Sequence, residues 1–178
     1  GWSVTFGLTT AARMAHTLEL CGHDMLRLSQ FNSTAWGING IMGSLIGPIF
    51  AALSDAHGRM PFLLLGRIGL GCWFTGCALS TKLWHYGVTE LLTWGFLMCG
   101  YTAVEDAFFA DLFGERPELS GRIRSQNAVY ASIAGFVSPF LGIWCAARGR
   151  LTTIYLGAVC CALQCGVILW HGDTLTAT

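Results

Sequence analysis

Long stretches of this chain contain no Asp, Glu, Lys or Arg: Leu28 to Ser54, Ser125 to Ala147 and Leu151 to Gly172. A bilayer core about 30 Å thick is crossed by roughly 20 apolar residues in helical form, so each run predicts a membrane-spanning helix. Two further apolar segments carry isolated charges: Pro61 to Ser80 with Arg67, and Leu83 to Phe113 with Glu90, Glu105, Asp106 and Asp111. The opening stretch, Trp2 to Leu20, is apolar apart from Arg13, His16 and Glu19. The pattern predicts six helices, over 2–20, 33–55, 61–80, 83–113, 125–147 and 151–170. Connections are expected at Cys21 to Asn32, Ala56 to Met60, Thr81 to Lys82, Gly114 to Arg124 and Arg148 to Arg150, where turn and charge signals gather. The fold expected is therefore all-α: a polytopic integral membrane protein forming a single six-helix transmembrane bundle over residues 1–178.

Composition agrees with that pattern. Hydrophobic residues make up 53% of the chain and charged residues 11%, against about 25% charged in a soluble domain. Ten acidic and ten basic side chains cancel and the basic ones are scattered, which excludes the clustered footprint of a nucleic-acid binder. Orientation does not follow from charge, because Arg59, Arg116, Arg122 and Arg124 on one side balance Arg27, Lys82, Arg148 and Arg150 on the other. The eight cysteines lie mostly inside apolar runs and read as small packing residues. A metal or haem enzyme would have to use His16, His23, Cys160, Cys161 and Cys165, but their spacing matches no ligand motif. No enzyme activity, metal or cofactor is expected. Small residues recur every four positions at Gly43, Gly47 and Ala51, and again at Ala131, Gly135 and Pro139, stripes that let helices approach closely in lipid.

Three segments carry a family resemblance. Ala51-Ala-Leu-Ser-Asp-Ala-His-Gly-Arg-Met-Pro61 resembles motif A of the major facilitator superfamily, Gly-x-Leu-Ser-Asp-Arg-x-Gly-Arg-Arg, with Asp55, Gly58 and Arg59 at matching positions. Phe109-Ala-Asp-Leu-Phe113 is similar to the family's ending of helix 4, with Asp111 as its acidic residue. Gly135-Phe-Val-Ser-Pro-Phe-Leu-Gly142 looks like motif C, Gly-x-x-x-Gly-Pro-x-x-Gly, carried by Gly135, Pro139 and Gly142, with Ser138 in place of the glycine before proline. The resemblance implies the N-terminal half of a twelve-helix secondary active transporter that moves a small solute by alternating access. It also implies antiport, a gating role for the motif A loop, and a cavity completed by a C-terminal six-helix half or a second copy of the chain. In motif B, Phe96 stands where the family has its arginine. The alternative reading is a non-transporting membrane scaffold or receptor of the same fold.

Ionisable groups inside a span are functional candidates by default, because burying them in lipid is costly. Arg13, His16 and Glu19 follow an i, i+3, i+6 pattern on one face of the first helix. Counting 100° per residue from Phe96 puts Asp106 toward the cavity and Glu105 away from it. Arg13, His16, Glu19, Asp106 and Asn39 are therefore the expected substrate or ion ligands, with Arg13 and Asp106 facing each other. Gln126 and Asn127 are secondary candidates. Arg67 and Glu105, at similar depth, are expected to form a structural pair.

Overall fold

The computed structural model describes residues 2–98, 100–114 and 117–171, and those residues are helical with short turns between. In chain order the helices are α1 (Trp2–Leu20), α2 (Met25–His57), α3 (Met60–Leu79), α4 (Leu83–Thr89), a π-helical segment (Glu90–Met98), α5 (Tyr101–Phe113), α6 (Pro117–Ala146) and α7 (Arg150–His171). Four of them, α2, α3, α6 and α7, are long and apolar enough to cross a bilayer. By length and composition the chain is a helical integral membrane protein.

The six-span count is corrected by two elements. Helix α1 has the expected bounds, but Arg13, His16, Glu19 and four threonines leave it too polar to qualify as a span. The expected helix over 83–113 is divided into α4, the π segment and α5. Two boundaries also move outward. Helix α2 begins at Met25 rather than 33, because the Asp24 carboxylate accepts the backbone N–H groups of Leu26 at 2.9 Å and Arg27 at 3.2 Å. Helix α6 begins at Pro117 rather than 125, proline being well suited to a first helical turn. In both cases the apolar run marks where the helix meets lipid, while the backbone winds on through polar residues beyond it.

Helix α3 lies centrally, packed against α7 on one side and the π segment and α5 on the other, while α1 rests on α6 and α7 and α2 on the π segment and α5. Leu70, Trp73, Phe74 and Cys77 of α3 form the main core with Ala12, Ile154 and Cys161. In lipid such contacts hold helices together through close packing, since the surrounding tails are as apolar as the side chains. Gly142 of α6 shows the closeness required: a methyl group there would overlap the backbone carbonyl of Leu8. The outer faces stay apolar, with Phe136, Ile133 and Leu163 exposed and Trp170 at 88%, as expected of surfaces covered by lipid.

Candidate functional site

Helices α1, α2 and α3 meet the start of the π segment around a cavity of about 160 Å³. Its walls are aromatic and its polar lining includes Arg13 and Glu90. The Arg13 guanidinium carbon lies 4.2 Å from the Trp73 ring centroid and 4.6 Å from that of Phe6, within cation–π range. Its Nε and Nη2 donate to the Thr9 and Thr10 hydroxyls one turn back, both at 3.4 Å. Among the described residues no carboxylate comes within 4.0 Å of it.

Glu90 is buried on the other side of the same indole. It accepts the Trp73 Nε1–H at 2.5 Å on one oxygen and the Asn39 amide at 3.3 Å on the other. Trp73 thus holds a cation against its face and a carboxylate at its N–H edge, with neither touching the other. Asn39 takes part as a ligand of Glu90. Sequence reasoning noticed Glu90 and gave it no role. The available signal was a lone carboxylate in the apolar run after Leu83.

A second cluster forms at the α2–α3 connection. Gly58 has φ 96° and ψ 154°, a combination that side chains other than glycine rarely tolerate. The turn brings Arg59 inward to 7% exposure. There it pairs with Asp55 four residues back, donates to Asp111 on the last turn of α5 at 2.9 Å, and reaches the Ser54 hydroxyl at 2.8 Å. The hydrogen bond to Asp111 and then that to Asp55 push the Arg59 pKa above its ordinary value, against burial, so the cluster keeps its cation at every relevant pH. Asp55, Gly58, Arg59 and Asp111 meet in one clasp that ties the α2–α3 turn to the end of α5.

The remaining charged side chains divide between boundary and interior. Glu19 pairs with Arg150 at the start of α7, one contact measuring 2.6 Å, and lines no part of the aromatic cavity. His16 Nε2 donates to the Ser80 carbonyl at 3.0 Å, leaving a buried Nδ1 without a hydrogen bond. Arg67 reaches the Tyr101 hydroxyl, which donates to Glu105 at 3.1 Å, and Arg67 and Glu105 themselves come within 3.9 Å.

Asp106 does not face Arg13. It is exposed and pairs with Arg124 of α6 at 3.1 Å. The 100° count that aimed it inward ran through the π segment, whose different winding breaks the phase. The Phe96 side chain, Arg116 and Gly172 lie outside the described residues. In α6, Gly142 and Ser138 pack on α1, whereas Gly135 borders open space and Gln126 and Asn127 are exposed. Among the described residues no three His, Cys, Asp or Glu side chains gather where a metal ion would bind them. No family model, curated protein or solved structure matches the chain.

Proposed function

We propose that this chain is one helical half of a major-facilitator-type secondary transporter. It moves a small solute across a bilayer by alternating access, and its cavity is completed by a C-terminal half or a second copy of the chain. The observation that supports this best is the Asp55–Arg59–Asp111 clasp. Two segments resembling separate family motifs, with Arg59 and Asp111 52 positions apart, share one buried guanidinium at a helix end. Charged contacts between helix ends suit rocking bundles because they exchange partners between states. The cavity supplies what transport further requires: a chamber of about 160 Å³ with internal charge and hydrogen-bonding groups.

The test is exchange flux in proteoliposomes containing the complete gene product, with labelled organic acids, amines, sugars and peptides loaded on either side. Flux of one class is expected. Arg59→Ala is expected to lower it at least about tenfold, a change of roughly 1.4 kcal/mol in the barrier, while solute binding persists. Absence of flux for every class, with solute binding retained, would favour the receptor or scaffold reading.

A further inference from the structure

We infer that the Arg13 cavity takes a small aromatic monocarboxylate, its carboxylate on the Arg13 guanidinium and its ring among the tryptophans. This deepens the transporter reading and rests on it for its physiological meaning, though binding can be measured separately.

The charge inventory of the cavity leads to this class. Glu90 already receives a donor on each carboxylate oxygen, from Trp73 at 2.5 Å and Asn39 at 3.3 Å. Arg13 receives far less. A guanidinium offers five N–H donors in a planar fork, and here its polar partners are two neutral hydroxyls on its own helix, both at 3.4 Å. At 8% exposure it is nearly removed from solvent, and no carboxylate lies within 4.0 Å among the described residues. A buried guanidinium with no carboxylate in hydrogen-bonding contact keeps donors unfilled, and a carboxylate is the group whose geometry matches its fork. The unfilled hydrogen-bonding capacity of the cavity therefore lies on its cation.

Shape and lining define the rest of the solute. Phe31, Trp36, Tyr86 and Trp94 stand around the same space as Arg13. Trp36 meets Trp94 edge-on with centroids 5.9 Å apart, and Trp94 lies 4.9 Å from Trp73, an aromatic wall of the kind a planar ring packs against. The volume of about 160 Å³ is close to that of a cavity of about 150 Å³ that holds benzene. One ring bearing one carboxylate fits.

The test is equilibrium binding of radiolabelled benzoate to the purified complete protein in lipid nanodiscs, with benzylamine and benzyl alcohol as competitors of matching shape. Saturable benzoate binding is expected, displaced by excess unlabelled benzoate and at least about tenfold less well by the amine or the alcohol, as loss of a charge-assisted hydrogen-bond pair requires. Arg13→Gln is expected to weaken binding by about tenfold or more, and Arg13→Lys by a smaller factor, because lysine keeps the charge without the fork. Should Arg13→Gln fail to fold, the lysine variant and Trp94→Ala carry the test, each expected to weaken benzoate binding. No saturable benzoate binding, equal or stronger competition by benzylamine, or binding indifferent to Arg13 in folded variants would overturn the inference. Benzoate binding without flux supports it and counts against the transporter reading. Flux of another solute class without benzoate binding overturns the inference and leaves that reading in place.

Discussion

Arg13 and Arg67 lie inside helices at nearly equal burial, 8% and 7% exposed, yet they are accommodated by different means. Arg67 of α3 stacks on the Tyr101 ring at 4.4 Å, reaches its hydroxyl and sits 3.9 Å from Glu105. It belongs to a charge-neutral chain that runs from α3 to α5. Arg13 of α1 has aromatic faces and two distant hydroxyls, and the nearby carboxylate of Glu90 is held by Trp73 and Asn39 instead. One guanidinium is used in joining helices. The other remains available to a guest. A membrane arginine is thus informative about function according to how much of its charge the fold already answers.

Substitutions separate the two cases. Arg67→Leu is expected to have the largest effect on stability, lowering it by about 3 kcal/mol, since it removes the cation from a buried network and leaves Tyr101 and Glu105 without it. Thermal unfolding in detergent, followed by intrinsic fluorescence, measures the change, and a loss below about 1 kcal/mol would show that the network contributes little. Gly58→Ala is expected to lower stability by roughly 2 kcal/mol through backbone strain at φ 96°. It should also open the α2–α3 turn to protease, because Arg59 would no longer be directed toward Asp111.

Trp73→Phe keeps a ring face beside Arg13 but removes the N–H that Glu90 accepts. A loss of about 1.5 kcal/mol is expected from the lost hydrogen bond to a charged group. Arg13→Leu is expected to change stability least, within about 1 kcal/mol in either direction, because the lost cation–π attraction is offset by no longer burying an unanswered charge. If Arg13→Leu instead matched Arg67→Leu in its effect, the contrast between the two arginines would collapse.

The ordering of these effects was not visible in the residues alone. In sequence Arg13 stands in a polar stripe with His16 and Glu19 and Arg67 interrupts an apolar run alone, but neither pattern shows which partners each guanidinium meets. Arg67 and Glu105 share a depth along their helices, which follows from counting 1.5 Å per residue, but the hydroxyl of Tyr101 between them does not. Asp106 looked the better inward candidate and proved to be an exposed partner of Arg124, whereas Glu90, given no role, is a buried carboxylate of the cavity.

The sequence by itself determined that this is a helical membrane protein, where its apolar helices lie to within a few turns, and which residues interrupt them with charge. Those properties are local: hydropathy, helix length and the requirement that backbone groups in lipid bond within their own segment. Tertiary structure decided the division of the fourth expected helix by a π segment, the extension of α2 and α6 through polar turns, and which charges meet. Pairing between α1, α3 and the π segment depends on rotational phase and on contacts between distant parts of the chain. A nine-residue π segment changes that phase without any mark in the hydropathy, so the partners of Arg13, Glu90 and Asp106 could be assigned only once the helices were packed.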